Sequence, residues 1–330
     1  MGFLALALAL ALEQWRPLVD RRAVFAPVVG YAGYLERQFN AGEANQGAVA
    51  WLLAAVPLAV AAWAVYALLD ALNPIAGLLF NVAVLYVTMG FREHSHYFTR
   101  VHKALKEGDL AEARRLLGEW RCHPCETLSA SEIARLAIEG ALTVSHRHVF
   151  AVVFWFLVLP GPSGAVLYRT ALFLSRRWGR MARAGEPGPM FDLAGPDADA
   201  GPVGVDDEPP GRFGEFARRA FHALDWLPAR FTAASFAIVG DFEDAVYCWR
   251  TQAARWPDPL LGLVLAAGAG ALGVRLGSPI ARGALVEDRP ELGLGEEADT
   301  PFLDSTVGLI WRALVLWLAL LLVVSIAKVF

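Results

Sequence analysis

Long apolar stretches separated by charged, amphipathic segments are the dominant pattern along this chain. Five apolar blocks follow the N-terminal region: Trp51–Leu72, Pro74–Phe91, Val149–Leu174, Leu260–Leu276 and Val307–Ala327. Because about 20 helical residues are needed to cross roughly 30 Å of hydrocarbon, four of these blocks reach or approach the length of a membrane span. The pattern therefore predicts an all-α integral membrane protein with about four spanning helices and a further apolar helix at the N-terminus.

The block Val149–Leu174 is interrupted by the run Pro160-Gly161-Pro162-Ser163-Gly164. Two prolines and two glycines so close together end a helix rather than bend it. Each half then has about eleven residues and is too short to cross the hydrocarbon. We predict a broken, re-entrant helical hairpin whose freed backbone groups are covered by protein or by a wet cavity.

The distribution of charge predicts the orientation. Arg92–Arg147 holds nine Lys and Arg residues and Arg176–Arg255 holds ten, whereas Ser278–Asp304 holds two Arg and seven acidic residues. By the positive-inside rule the first two segments are cytoplasmic and the third is external. Asp70–Pro74 then forms a tight external turn, and both ends of the hairpin lie on the cytoplasmic side.

Amphipathic helices are predicted on or near the cytoplasmic surface. Their segments are Glu107–Gly118, Ser129–Val144 and Phe213–Val239. Ser129 and Glu132 have the spacing of a capping box at the start of the second, and Pro228 is expected to kink the third. Two polar loops are predicted at Gly185–Gly211 and Gly283–Pro301.

These elements divide the chain into six predicted regions. They are 1–50, an apolar N-terminal helix and connection; 51–91, a transmembrane helical hairpin; 92–148, cytoplasmic amphipathic helices; 149–174, the broken membrane hairpin; 175–258, a cytoplasmic loop and amphipathic helix; and 259–330, two transmembrane helices with an acidic external loop.

Composition supports a membrane protein and excludes other classes. Hydrophobic residues make up 56% of the chain and charged residues 19%, against about a quarter in soluble proteins. A net charge of −4 does not indicate a nucleic-acid partner. The three cysteines, Cys122, Cys125 and Cys248, provide no disulfide framework and fit a reducing compartment. No Lys or Arg precedes the apolar stretch Gly2–Leu12, so we do not expect a cleaved signal peptide. We predict a multi-pass protein of a bacterial-type inner membrane.

Polar residues beside the apolar blocks are the candidates for chemistry. His94 and His96 follow Arg92 directly after a span, and two residues of separation places them on different sides of a helix, where they cannot share a metal. Either they are interfacial polar residues or they contact a ligand. The single Cys122-x-x-Cys125 pair lacks the second pair of a structural zinc site and is interpreted as a loop turn.

The run Ser145-His146-Arg147-His148 is a stronger candidate for a functional site because it lies where a charged helix meets an apolar block. A charge at a membrane boundary is costly and is usually functional or an interfacial anchor. The Arg147 guanidinium could hold a phosphate or carboxylate through two hydrogen bonds. Asp225 and Arg230 flank Pro228 and could pair across the helix bend.

Several segments resemble one known family. They are Gly108–Arg115, Ser131–Arg135 with Glu139, Phe154-Trp155 with the following turn, Asp225–Arg230, and Gly270–Gly277. In this order they resemble the CobD/CbiB cobalamin-biosynthesis membrane proteins over most of the chain. At Arg92-x-His94-x-His96, at Arg147 and at Leu224–Arg230 the chain is most similar to the AmpE-like branch of that family.

The resemblance implies specific chemistry. Synthases of the family would couple ATP-driven amide formation to a corrinoid, and such chemistry needs Mg²⁺ held by carboxylates. Arg121 and Glu139 match the family pattern. Thr143 and Val144 stand where that pattern has Glu-Asn, and the run His146-Arg147-His148 stands where it has Ser-Asp-Gly. Arg and His in place of carboxylates favour an anion over a cation. Members of the AmpE-like branch are regarded as membrane signalling or accessory proteins.

We therefore predict a member of this superfamily without synthase activity, a sensor, signalling or accessory protein that binds an anionic or lipid-like ligand. A divergent adenosylcobinamide-phosphate synthase using Mg-ATP and a corrinoid is the alternative, and a structural subunit of a membrane complex is the second. The first hypothesis needs no cofactor or metal, and enzymatic activity stays open. Partners are the lipid membrane and a protein partner or second copy. The candidate ligand-binding residues are Arg92, His94, His96, Arg121, Glu139, His146, Arg147, His148, Asp225 and Arg230.

Overall fold

The protein is almost entirely helical. The computed structural model describes residues 2–15, 21–40, 43–121, 125–181, 212–282, 285–287 and 289–327, so the predicted loop Gly185–Gly211 lies outside the described residues. The α-helices are α1 Gly2–Trp15, α2 Arg21–Phe39, α3 Ala44–Leu72, α4 Pro74–Met89, α5 Phe91–Lys106, α6 Leu110–Arg121, α7 Ala130–Ser145, α8 Ala151–Val158, α9 Ser163–Met181, α10 Phe213–Val239, α11 Phe242–Gln252, α12 Pro259–Leu272 and α13 Thr300–Ala327. A π-helical turn, His146–Phe150, joins α7 to α8, and a 3₁₀ turn, Ala253–Arg255, follows α11.

Four short strands lie between α12 and α13. The strand β1 (Val274–Arg275) pairs in parallel with β4 (Glu296–Glu297). The strand β2 (Ile280–Arg282) pairs with β3 (Leu285–Glu287) in an antiparallel hairpin. The predicted acidic loop Gly283–Pro301 is thus partly ordered by β pairing.

Three helices of the described residues are long and apolar enough to cross a membrane. They are Asn45–Leu72, Ala130–Val158 and Thr300–Ala327. Gly2–Trp15, Pro74–Met89 and Pro259–Leu272 are shorter apolar helices. The predicted all-α membrane fold is confirmed, and the spans differ from the predicted ones around residues 130–158 and 260–276.

The chain forms two compact units. The first holds α1 to α4, α8, α9 and α10 as far as Asp225, and the second holds α5 to α7, the π-helical turn, the rest of α10, α11 to α13 and the strands. In the first unit α3 packs on α4 and α9, and α1 packs on α4. Leucine, valine and tryptophan side chains along α3 stay exposed, as expected of a surface that contacts lipid. In the second unit α7 packs against α5, α12 and α13.

The tight turn between α3 and α4 is confirmed. The α3 helix ends at Leu72 and Pro74 opens α4, which suits proline because the first helical N–H has no intrahelical partner. The Asn73 side chain accepts a hydrogen bond from the backbone N of Ile75 at 2.9 Å. The break of the hairpin is confirmed too, because α8 ends at Val158 and α9 begins at Ser163.

The prediction of two eleven-residue arms is wrong. The first arm is the end of a helix of 29 residues, Ala130–Val158, and the second arm, α9, has 19 residues. The polar run Ser145–His148 does not end the helix. Its four side chains are buried; the Ser145 hydroxyl donates to the Leu142 carbonyl within the helix, while His146 and Arg147 bond to side chains of other elements. Residues His146–Phe150 form one π-helical turn within the continuous helix.

The α7 helix is an interior helix rather than a surface one. It starts as predicted, with the Ser129 hydroxyl accepting from Glu132 N at 3.2 Å and the Glu132 carboxylate accepting from Ser129 N at 2.7 Å. From Ile133 onward its residues are buried except Ala141, which is only half-buried. The capping box therefore fixes where the helix begins, whereas packing on every side decides where it lies.

The capping box gives a first prediction. Replacing Ser129 with Ala removes the hydroxyl acceptor of the Glu132 N–H, and we expect it to lower the free energy of unfolding by about 1 kcal/mol. Ser129→Gly should lower the free energy of unfolding by only a few tenths of a kcal/mol, because glycine at this position leaves the backbone N–H groups accessible to water. Thermal unfolding of the detergent-solubilised protein measures the effect. Equal melting temperatures for Ser129→Ala and wild type would show that the cap is dispensable.

The block Leu260–Leu276 is not a full span. The α12 helix has 14 residues, which at 1.5 Å per residue gives about 21 Å, and it ends at Gly273 in the left-handed conformation. The strand segment then packs back on the helices that precede it. Ser131 Oγ donates to Glu297 Oε1 at 2.7 Å, and His102 Nε2 lies 3.5 Å from Asp304 Oδ2.

These contacts correct the predicted topology. The acidic segment Ser278–Asp304 meets α5 and α7, which were predicted to lie across the membrane from it. Because side chains cannot pair through a bilayer, the two regions share one side. The orientation predicted from the charge counts was wrong for this segment because it assumed that α12 crosses the membrane.

Candidate functional site

A stripe of polar side chains runs along α7 and into the π-helical turn. Its members follow one another at intervals of four residues: Ser131, Arg135, Glu139, Thr143 and Arg147. Residues four apart lie on neighbouring positions of a helix face, so the five form one winding row, which we call the polar stripe. Its last four members are buried. A buried polar row inside a helix long enough to span a membrane is costly, and such rows are usually functional.

The carboxylate of Glu139 lies at the centre of the stripe and is fully buried. Its Oε1 accepts from the backbone N of Gly277 at 2.8 Å, and its Oε2 accepts from Nη2 of Arg289 in a buried ion pair. The guanidinium of Arg289 also lies over the ring of Trp256, 4.9 Å from its centroid. Both oxygens of Glu139 are therefore engaged by the segment between α12 and α13.

The three residues that open the π-helical turn point to different neighbours. Nη2 of Arg147 donates to Asp258 Oδ2 at 3.1 Å, and Nδ1 of His146 lies 2.9 Å from the Thr232 hydroxyl. His148 is buried, with 2% of its surface exposed. Successive helical residues project about 100° apart, so the consecutive side chains of His146 and Arg147 reach different partners. π-Helical turns are rare and are found often at functional sites.

Aromatic side chains pack around this turn in the second unit. Phe150 packs edge-on against Phe236 with 5.8 Å between ring centroids, and its centroid lies 5.7 Å from that of Trp317. The indole N–H of Trp317 donates to the Ser235 hydroxyl at 2.7 Å. These large apolar contacts lower the local dielectric constant, which strengthens the polar pairs beside them.

Asp258 connects the turn to α12. Its Oδ1 accepts from the backbone N of Leu260 at 3.1 Å and of Leu261 at 3.3 Å, which caps the helix, while its Oδ2 pairs with Arg147. The side chain of Asp258 is 39% exposed, so this pair is the part of the cluster that is open to the surroundings.

Four of the ten candidate residues, Glu139, His146, Arg147 and His148, lie buried on one continuous helix, where Glu139 has partners different from those of His146 and Arg147. Arg92 and His96 lie on α5, with His96 exposed. The side chains of His94 and Arg121 lie outside the described part of the structure. Within the described residues, no group of three or more His, Cys, Asp or Glu side chains is placed to hold a metal ion.

Asp225 and Arg230 have different partners. Asp225 Oδ1 accepts from the Tyr168 hydroxyl at 2.7 Å inside the first unit. Arg230 stacks over the ring of Trp226 at 3.8 Å and donates to the Trp226 carbonyl at 2.9 Å. The predicted pair across Pro228 is therefore wrong, since an aromatic face one turn away is a nearer partner for the guanidinium.

Sequence reasoning did not select Arg135, Thr232, Asp258 or Arg289. The four-residue spacing that connects Arg135 to Glu139 and Arg147 was visible in the sequence and would have identified Arg135. The other three are 86 to 150 residues away from their partners, and no local pattern indicates those contacts.

Cys248 gives a pH-dependent prediction away from the stripe. Burial, and next the nearby Asp244 carboxylate, raise the pKa of the Cys248 thiol to about 11. Folding raises this pKa, so the protonated thiol adds to the free energy of unfolding below about pH 8.5, the pKa of an ordinary thiol. This contribution is lost as the pH rises through about 11. Because Cys248 is fully buried and its thiol stays protonated, we expect iodoacetamide to leave it unmodified in the folded protein at pH 8 and to alkylate the unfolded protein near pH 8.5.

Mass spectrometry on a Cys122→Ser/Cys125→Ser variant isolates this thiol. Rapid alkylation of the folded protein at pH 8 would contradict the raised pKa. The urea-unfolded form of the same variant is the control for reagent activity.

Comparison with known proteins places this architecture in a family. The family described as CobD/Cbib protein matches residues 4–183 and 199–310. The chain belongs to the CobD/CbiB family. The cobalamin biosynthesis protein CobD of Stutzerimonas stutzeri (strain A1501) is 35% identical over 90% of both chains. A protein of the same name from Chromobacterium violaceum is 36% identical over 85% of this chain and 80% of its own.

A more distant CobD/CbiB relative is the cobalamin biosynthesis protein CbiB of Salmonella typhimurium, 25% identical over 84% of this chain and 80% of its own. No solved structure matches the chain. The match covers the helices from α1 to α12 and the first part of α13, as far as residue 310.

Proposed function

We propose that this protein serves cobalamin biosynthesis from within the membrane, as a divergent adenosylcobinamide-phosphate synthase. The observation that carries the proposal is its likeness to two cobalamin biosynthesis proteins named CobD, which extends over 85% or more of the chain at 35% and 36% identity. The buried polar stripe supports it, because a catalytic or binding constellation justifies the cost of placing charges inside a membrane protein.

The second candidate is a family member without synthase activity, an accessory or signalling protein of the AmpE-like kind that binds an anionic ligand. A specific observation favours it. Both oxygens of Glu139 already accept hydrogen bonds, from Gly277 N and from Arg289, and Arg289 balances its charge, so this carboxylate is a weaker ligand for Mg²⁺ than an unpaired one. Arg147 adds a cation in the run that stands where the resemblance places the family's Ser-Asp-Gly.

Complementation separates the two candidates. A cobalamin auxotroph whose own adenosylcobinamide-phosphate synthase has been deleted receives this gene, the native synthase gene, or an empty vector. Growth without added cobalamin supports the synthase. If immunoblotting finds the protein in the membrane and growth still fails while the native gene restores it, the synthase proposal is wrong and the accessory role stands.

A pair of variants refines a positive result. Glu139→Gln keeps the size of the side chain and an acceptor for Gly277 N but removes the charge, whereas Arg250→Gln alters an exposed arginine on α11 outside the stripe. Loss of growth with the first and not the second assigns the synthase function to the polar stripe. Equal growth of both variants would place that function elsewhere.

We also propose that the shared side of α5, α7 and the strand segment is cytoplasmic, because α5 and α6 carry an excess of Lys and Arg. Green fluorescent protein inserted in the exposed turn at Gly108, which fluoresces only in the cytoplasm, tests this. A periplasmic reporter that is active at the same position would reverse the orientation.

A further inference from the structure

Four helix ends meet at one end of the first unit: the end of α2, the start of α3, the end of α9 and the start of α10. A Cβ atom added to Gly47 of α3 would overlap the carbonyl oxygen of Phe213 at the start of α10. The ring of Phe213 packs against that of Trp178 on α9, with 5.1 Å between the centroids. Nε of Arg177 on α9 donates to Glu36 of α2 at 2.9 Å. These contacts hold the four helix ends at one level.

A second contact marks the opposite end of the same unit. A Cβ atom added to Gly161, in the turn between α8 and α9, would overlap the ring of Tyr66 on α3. Nineteen residues separate Gly47 from Tyr66, which is about 28 Å of helix and close to the roughly 30 Å of a hydrocarbon core. Because α3 is long and apolar enough to cross a membrane, the two ends of the unit lie near opposite surfaces of the bilayer.

The two ends differ in charge. Residues 66–77 and 158–165, which form the second end, contain no Lys or Arg and one acidic residue, Asp70. The described side chains of the four helix ends include six arginines and three glutamates, which leaves a net charge of +3. We call this set the basic rim: Arg37, Arg176, Arg177, Arg212, Arg218 and Arg219, with Glu36, Glu43 and Glu215.

Part of the basic rim is open to the surroundings. The side chains of Arg212 and Arg219 are 68% and 73% exposed, and they share the single carboxylate of Glu215. Arg37 is exposed, and Tyr34, one turn before it on α2, is exposed as well. Tyrosine is enriched at the headgroup level of membrane proteins, and arginine is enriched on their cytoplasmic side. The rim therefore presents cations and an aromatic ring at the depth of the lipid headgroups.

We propose that the basic rim binds the headgroups of anionic phospholipids. Phosphatidylglycerol and phosphatidylcholine both carry a phosphate, but choline cancels its charge, so a surface with an excess of cations selects the first lipid. The opposite end of the unit has no basic residue with which to make the same selection, so the preference is confined to one leaflet. The proposal does not rest on synthase activity, and its test is independent of the complementation test.

Native mass spectrometry of the full-length, detergent-purified protein tests the basic rim. Dioleoylphosphatidylglycerol and dioleoylphosphatidylcholine, which have the same acyl chains, are titrated separately, and the dissociation constants of the first bound lipid are compared. We expect the protein to bind phosphatidylglycerol at least tenfold more tightly. This preference should shrink as the concentration of ammonium acetate rises, because salt screens exposed charges.

Variants that change the charge in opposite directions identify the rim as the site. Arg37→Gln/Arg219→Gln should weaken binding of phosphatidylglycerol about tenfold, whereas Arg250→Gln/Arg255→Gln, which removes two exposed arginines of the second unit, should leave it unchanged. Glu43→Gln removes an exposed carboxylate that makes no capping hydrogen bond to α3, and it should tighten binding several-fold. It decides the matter if the double rim variant does not fold. Equal affinity of the wild type for the two lipids, or rim variants that bind like wild type, would overturn the proposal.

Discussion

Replacement of Glu139 with Leu is expected to lower the free energy of unfolding by about 3 to 5 kcal/mol, the largest effect of any single change described here. The substitution removes the carboxylate that pairs with Arg289, whose side chain is 3% exposed. A guanidinium without its counter-charge cannot reach water from that depth. The Gly277 N–H loses its acceptor as well.

Two further variants isolate the cause. Glu139→Gln keeps an acceptor for Gly277 N, so we expect it to lose less stability than Glu139→Leu. The double variant Glu139→Leu/Arg289→Met removes both charges, and we expect it to recover most of the loss, because an apolar pair of similar volume is tolerated where a single buried charge is not. Urea unfolding in mild detergent, followed by tryptophan fluorescence, measures all three. A double variant as unstable as Glu139→Leu alone would refute the ion-pair explanation.

The second large effect is expected at Gly270, where α12 packs on α11. A Cβ atom at this position would lie 2.4 Å from the carbonyl oxygen of Asp244 and 2.7 Å from the backbone N of Ala245. Because these are backbone atoms, no side-chain rotation relieves the clash, and the two helices must separate. We expect Gly270→Ala to lower the free energy of unfolding by about 3 kcal/mol.

The matched control for Gly270 is Gly308 on α13, where a Cβ atom would meet nothing within 4 Å. Gly308→Ala should raise the stability by up to about 1 kcal/mol, because alanine favours the helix more than glycine does. The same unfolding assay compares the two. Equal responses of Gly270→Ala and Gly308→Ala would mean that close packing of α11 on α12 does not limit stability.

Sequence patterns located the helices well wherever a strong local signal marks their ends. The predicted helix Phe213–Val239 has the bounds that the structure gives to α10, and the capping box at Ser129 marks the start of α7. Pro74 and the Pro160–Gly164 run separate helices as expected. Each of these signals acts through steric or hydrogen-bonding rules within a few residues, which is the range at which a single sequence is informative.

The same reasoning failed where distant contacts decide the outcome. The polar run Ser145–His148 was interpreted as the edge of the membrane. In the structure it lies within a continuous helix, where His146 bonds to Thr232 and Arg147 bonds to Asp258. Glu139 and Arg147 were selected as candidate residues, while their partners Arg289 and Asp258 were not. A charge inside an apolar stretch indicates that some partner exists, and only the fold shows which residue it is.

The short, enclosed α12 has a consequence for how the protein is made. Every residue from Leu260 to Ala271 is buried, and the helix spans about 21 Å. The helix is apolar, but its length falls short of the roughly 30 Å hydrocarbon core, so hydrophobicity alone does not hold it across the bilayer. We infer that α12 reaches its final position only after α7 and α11 have folded, since it packs on both of these earlier helices. Variants that loosen this enclosure should therefore reduce the amount of protein that accumulates in the membrane.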